Sequence, residues 1–227
     1  MRDVIIVSRR RQPSVRLLVR CLSLVRVDAR WRRHMSEAKL TVAWGAHEPD
    51  AHVNANLISN KLRELQVLTD AGVPCPCYSE AYVDGWLPRR SDHRFGRDLL
   101  EPTSLPSFYV ERLDLRAEFR VHVWDGAVVA LGQKVATEAN AHPWIRSSRA
   151  GWRVSYRPEL MKAALEGRAV RGRAIAAVGA LGYDFGAVDV GITSKGKSVV
   201  LEVNSAPGLC EYTAGKYVNA IKERLGR

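Results

Sequence analysis

The stretch that decides the fold runs Asp184-Phe185-Gly186-Ala187-Val188-Asp189-Val190, then across Lys195-Gly196 to Val200-Leu201-Glu202-Val203-Asn204-Ser205-Ala206-Pro207-Gly208. Both segments have strand composition, and Lys195-Gly196 between them is a hairpin signal. In the first segment an acid stands between valines. In the second, alternation sets Glu202 and Asn204 on one face and Leu201 and Val203 on the other. Pairing the two strands through the turn brings Asp189 close to Glu202 and Asn204. Two carboxylates and an amide oxygen are hard ligands that suit Mg2+, which is commonly held by one or two carboxylates plus nucleotide phosphates. Burying the carboxylates without a cation is costly. The competing reading of the same residues is ion pairing with the chain's own arginines.

Upstream, Phe108–Leu113 and Glu118–Trp124 read as strands, Asp125-Gly126 as a hairpin turn and Ala127–Val135 as the returning strand. Glu118, Arg120 and His122 share one face, and Phe119, Val121 and Val123 the other. That polar face is either a buried site or a sheet face open to solvent. Asn60–Ala71 reads as a helix with Leu62, Leu65 and Leu68 on one side, stopped at Gly72 with Pro74 behind it. Glu159–Leu181 and Tyr212–Leu225 are the later helices. The run Pro88–Asp98 is a basic loop around Gly96. Such a loop can wrap phosphates through backbone N–H groups and arginine, although ordinary charged loops share its composition.

Residues 1–55 read as a small βαβ-type unit: strand Val4–Val7, helix Pro13–Leu24, strand Leu40–Trp44, then a turn at Gly45–Pro49. The unit is rich in arginine between Arg26 and Arg33. The helix has apolar Leu18, Cys21, Leu22 and Val25 with Arg16 and Arg20 between them. A helix lying on a membrane surface has such a pattern, but one packed on a strand is the commoner case.

The 227 residues are 46% hydrophobic and 26% charged, enough for a sizeable core and unlike disordered or collagen-like chains. Lys and Arg number 35 against 24 Asp and Glu, a net +11 that attracts polyanions. The sequence has no apolar run of the roughly 18 residues that a membrane span requires. Asp3–Val7 precedes Arg9, Arg10 and Arg11, the reverse of a secretory signal's order. Four cysteines are too few for a disulfide framework and favour a reducing compartment. Cys75 and Cys77 stand too close for the usual zinc spacing.

Glu118-Phe-Arg-Val-His-Val123, Asp184–Val190 and Leu201–Leu209 together resemble the ATP-grasp superfamily. The nearest branch is that of the ribosomal-protein glutamate ligases and their short relatives in bacteriophage genomes. The resemblance runs from about Ser59 to the C-terminus, and Ile5–Arg11 with its following helix resembles the short unit that precedes the domain in the phage proteins. It implies an α+β ATP-grasp fold over residues 56–227, two α+β subdomains gripping ATP, behind the unit at 1–55. It implies Asp189, Glu202 and Asn204 as ligands of Mg2+, with Mn2+ as a substitute. Glu118 then binds the ribose hydroxyls, and the backbone of Glu111, Arg112 and Leu113 holds adenine. Lys61, at the start of its helix, reaches the phosphates. Arg89 or Arg90 takes the place of the family's usual phosphate-binding lysine, an exchange that keeps charge and changes geometry. Lys134 and Arg146 face the phosphates and the acyl substrate, and Arg120 completes the catalytic group. Ser148 stands where relatives tend to have Asn or His.

The chemistry so implied is ADP-forming carbon–nitrogen ligation. A carboxylate becomes an acyl phosphate, and an amine then displaces phosphate. The partners are ATP, a carboxylate and an amine acceptor, either of which can be a protein or another anionic macromolecule. The implied location is the cytoplasm, that of the host if the chain is phage-encoded. A nucleic-acid-binding protein is the competing class, supported by the basic stretches Arg9–Arg33 and Arg146–Arg173 with Trp144 and Trp152 among them. A nucleotide-binding scaffold without turnover is the third.

Overall fold

The computed structural model describes residues 2–34, 36–91, 106–156 and 166–226. Strands β1 (Arg2–Val7), β2 (Ala29–Arg32) and β3 (Ala38–Ala43) form a parallel sheet in the order β2-β1-β3, with α1 (Pro13–Leu24) between β1 and β2 in the chain. β1 is buried almost end to end, as a central parallel strand requires. α1 opens with Pro13, whose fixed φ suits the first helical turn. Val15, Leu18 and Leu22 are buried, Cys21 only partly, and Val25 lies beyond the helix at 42% exposure. The apolar stripe is thus narrower than the sequence spacing implies. It packs into the core and not onto a membrane surface. No helix among the described residues is long and apolar enough to cross a membrane. The sequence reading missed β2. It is an edge strand in which Ala29 and Trp31 point inward while Arg30 and Arg32 point to water.

α2 (Lys61–Asp70) is capped by Asn60, whose side chain accepts from the N–H groups of Leu62 and Arg63, a cap contributing about 1 kcal/mol. A small antiparallel sheet follows in the order β4-β6-β5, from β4 (Tyr78–Ser79), β5 (Leu87–Arg89) and β6 (Phe108–Val110). The strand expected over Phe108–Leu113 stops at Val110, so Glu111, Arg112 and Leu113 are a connecting segment. Much of the basic loop, including Gly96, lies outside the described residues.

The larger sheet is antiparallel, β11-β10-β7-β8-β9, from β7 (Leu115–Trp124), β8 (Ala127–Ala136), β9 (Trp152–Ser155), β10 (Phe185–Thr193) and β11 (Ser198–Asn204). β7 and β8 turn at Asp125 and Gly126, both at positive φ as a tight hairpin demands. α3 (Glu166–Ala180) covers one face through Val170, Ala174, Ala177 and Val178. Residues 159–165 of its expected range lie outside the described residues. α4 (Glu211–Arg224) carries Tyr217, Val218 and Ile221 into a core shared with β1, α1, Trp44, Trp124 and Phe185.

Candidate active site

A cavity of about 320 Å3 opens between the two sheets. The small sheet and its connecting segment supply Arg89, Val110, Glu111, Arg112 and Leu113. The large sheet supplies Glu118, Arg120, Lys134, Asp189, Glu202 and Asn204, and the segment before β9 supplies Arg146. Of the residues expected at the site, all but Lys61 and Arg90 line this cavity.

β10 and β11 pair in the expected hairpin, with Asp189 opposite Glu202 and Ala187 opposite Asn204. The register shifts between Asp189 and Val190, so Leu201 has no partner on β10. This bulge corrects the sequence reading of Leu201. Strict alternation would put it with Val203 in the core, but Val200 and Val203 face the core while Leu201 lines the cavity. Leu115 and Leu201 make an apolar wall near the connecting segment.

The polar face of β7 is closed to solvent, which answers the alternative left by the sequence: Glu118 is 4% exposed and His122 0%. Asp189, on the neighbouring strand, accepts from Arg120 Nε and Nη2 at 2.8 Å each and from Lys134 Nζ at 2.9 Å. Lys134 also donates to Glu118. Burial alone would raise the Asp189 carboxyl, but the charges of Arg120 and Lys134 outweigh it and hold it well below the usual carboxylate range. Burial and the charge of Asp189 push Glu118 upward against the pull of Lys134.

Lys61 sits behind β11. Its ammonium lies 3.0 Å from Glu64, 3.2 Å from Glu202, and donates to the Val203 carbonyl at 3.3 Å. Burial disfavours that charge, yet the two glutamates outweigh it and raise the lysine. Glu64, which the sequence reading passed over, also accepts from the Val203 N–H at 2.9 Å. Its signal was the spacing of three from Lys61 on one helix. Both sequence readings of the acids thus meet here: the carboxylates form ion pairs with the chain's own cations, and they converge with Asn204 on one cavity.

Asn204 tests whether a cation suits this place. Its Nδ2 is shielded from water and has no acceptor. Reversing the amide offers the oxygen instead, and an unsatisfied amide beside two carboxylates is a setting that a cation completes. The donors are all oxygen, which fits Mg2+. Among the described residues no group of three His, Cys, Asp or Glu side chains could hold a metal.

Arg146 is fixed in place, its Nη2 donating to the Leu115 carbonyl and its guanidinium 4.7 Å above the Trp152 ring. Arg112 lies 4.5 Å over Trp144 at the cavity's rim. The N–H of Glu111 is already given to the Cys77 carbonyl at 2.8 Å. All four cysteines are free thiols.

Solved structures share this fold at low identity. The ATP-grasp ligase PsnB complexed with a minimal precursor superposes with a TM-score of 0.70 at 14% identity, covering 99% of this chain and 100% of that one. A RimK domain ATP-grasp protein from Sphaerobacter thermophilus gives 0.63 at 13%, covering 98% of each. D-alanine–D-alanine ligase from Bacillus anthracis gives 0.61 at 12%, covering 100% of this chain and 98% of that one. No curated protein matches the sequence. Residues 89–217, more than half of the chain, match the model of the ATP-grasp domain, R2K clade family 2, and the chain belongs to that family.

Proposed function

We propose that the protein is an ATP-dependent carboxylate–amine ligase that releases ADP. The observation that carries this reading is the convergence of Asp189, Glu202 and Asn204 with Glu118, Arg120 and Lys134 on one cavity of an ATP-grasp domain. In this reading adenine lies between the 111–113 segment and the Leu115–Leu201 wall, and Glu118 meets the ribose. Asp189, Glu202 and Asn204 hold Mg2+, which when bound offsets the charge of the terminal phosphates during in-line transfer. PsnB has been solved with Mg and ADP. Mn2+ is the substitute ion.

Lys134 and Arg120 turn from their carboxylates to the phosphate oxygens. Arg146, tethered to Leu115 and Trp152, stabilises the oxyanion that forms when an amine attacks the acyl phosphate. Arg89, which lines the cavity, supplies positive charge to the phosphates, with Arg90 beside it in the chain. Lys61 acts from behind, holding Glu202 in place. Residues 1–55 form the preceding unit and 56–227 the ATP-grasp domain, in the short form resembling the phage proteins. The precursor bound to PsnB supports a peptide as a substrate here. The family and the ligase folds it resembles favour this reading over a nucleic-acid-binding protein or a scaffold without turnover.

The test is ADP release against a panel of amino acids and acidic peptides, with mass spectrometry of the products, in wild type and Glu202→Gln. The variant should lose turnover and bind MgATP more weakly. Equal MgATP affinity by calorimetry would remove Glu202 from the site.

A further inference from the structure

Arg120 and His122 stand two residues apart on one face of β7. Opposite Arg120 lie Asp189 on β10 and Gly132 on β8. Asp189 grips the guanidinium on one side. On the other side Gly132 has no side chain, and that space is filled. A Cβ built there would lie 2.8 and 2.9 Å from Cδ1 and Cε1 of Tyr156 and 2.6 Å from Val154 Cγ1. The Tyr156 ring therefore lies where a β8 side chain would stand.

The ring is anchored. Its hydroxyl is 2.8 Å from His122 Nε2, and His122 Nδ1 is 3.1 Å from the Tyr217 hydroxyl. His122 is fully buried, and burial together with the Arg120 charge keeps its imidazole neutral. A neutral ring donates from one nitrogen and accepts at the other, so both contacts are satisfied at once. Tyr217 is itself fixed, 5.4 Å from Trp44, 5.7 Å from Trp124 and 5.7 Å from Phe185 in the core.

We propose that Tyr156 is a positioning residue for Arg120, its ring closing the β8 side of the guanidinium and its hydroxyl held by His122 and Tyr217. The inference rests on the ligase reading above, in which Arg120 meets phosphate. An arriving phosphate competes with Asp189 for the guanidinium. The ring keeps the arginine from swinging over Gly132, so the exchange takes place at the cavity. Sub-ångström placement of such a group is where enzymes lose or gain large factors.

Two ligands separate positioning from general stability: the MgATP analogue AMPPNP with Mg2+, which brings phosphates, and adenosine, which does not. By calorimetry, Tyr156→Phe should weaken Mg-AMPPNP roughly fivefold and leave adenosine within about twofold, a scale set by coupling between neighbouring groups. In an Arg120→Lys background the same change should cause no further loss. Gly132→Ala, which displaces the ring while keeping the hydroxyl, should reproduce the Tyr156→Phe pattern. Equal weakening of both ligands, an unchanged Mg-AMPPNP affinity, or full additivity with Arg120→Lys would overturn the inference and leave the ligase reading intact. A wild-type protein that binds neither ligand would overturn both.

Discussion

His122 has two phenols for neighbours and no access to water, and this couples it to pH. Burial, helped by the Arg120 charge and opposed by Asp189, pushes its pKa down from 6.5 to about 3. The folded state therefore stays unprotonated in a range where the unfolded chain takes up a proton. Stability from this source is complete above about pH 6.5 and is lost as pH falls towards 3, at about 1 kcal/mol per pH unit. Urea denaturation at pH 7 and pH 5 should show this slope in wild type, and His122→Gln should flatten it. Identical slopes in both proteins would mean that another group carries the dependence. The cluster Asp189–Arg120–Lys134–Glu118 differs from an ordinary surface ion pair. Its carboxylates are buried and its cations partly so, and removing a cation leaves an uncompensated buried charge behind.

At the scale of elements, the bulge at Leu201 and the glycine at 191 shape the cavity together. Gly191 lies opposite Glu118 on β7. A Cβ on it would approach Leu115 Cδ2 to 2.8 Å and Leu201 Cδ1 to 3.4 Å. Both leucines line the cavity. Their methyl ends are free to swing, and the open space is the cavity itself. Gly191→Val should therefore push Leu115 into the cavity, weaken adenosine about tenfold, and leave the melting temperature nearly unchanged. Calorimetry with adenosine beside a thermal melt checks this. A lower melting temperature with unchanged adenosine affinity would mean that the strain is taken up in the sheet. Tenfold in affinity corresponds to about 1.4 kcal/mol.

Across the whole molecule, the N-terminal sheet does not stand apart from the rest. Its core residues Val4, Ile6, Leu18 and Trp44 pack in one cluster with Phe185, Tyr217 and Ile221. Asn54, buried and at φ 56°, donates to the Phe185 carbonyl at 2.9 Å and accepts from the N–H groups of Asp184 and Phe185. Gly45 lies against Ala206, beside the loop that lines the cavity. Arg30, Arg32 and Arg33 of this unit are all exposed and remote in sequence from every group assigned to ATP. Replacing the three with Ala should raise the apparent KM for an anionic macromolecular substrate and leave that for ATP unchanged. The effect should vanish at high salt, where screening falls to about 3 Å. If both constants hold at wild-type values at low salt, the arginines are ordinary solvated charge.

The sequence by itself determined the two hairpins, the boundaries of α1, the stop of α2 at Gly72 and the pairing of Asp189 with Glu202. Each follows from local rules, in which turn residues, alternation and caps act over a few neighbours. Only the tertiary structure decided which polar face is buried, because alternation gives a face and not what covers it. It also decided that Leu201 turns into the cavity, since a bulge is a property of two strands in register. Lys61 was legible as a cation at a helix start, but its partners Glu202 and Val203 are more than 140 residues away. Tyr156 was invisible for the same reason. Its meaning comes from Gly132, His122 and Tyr217, which lie on three other elements and meet only when the chain has folded.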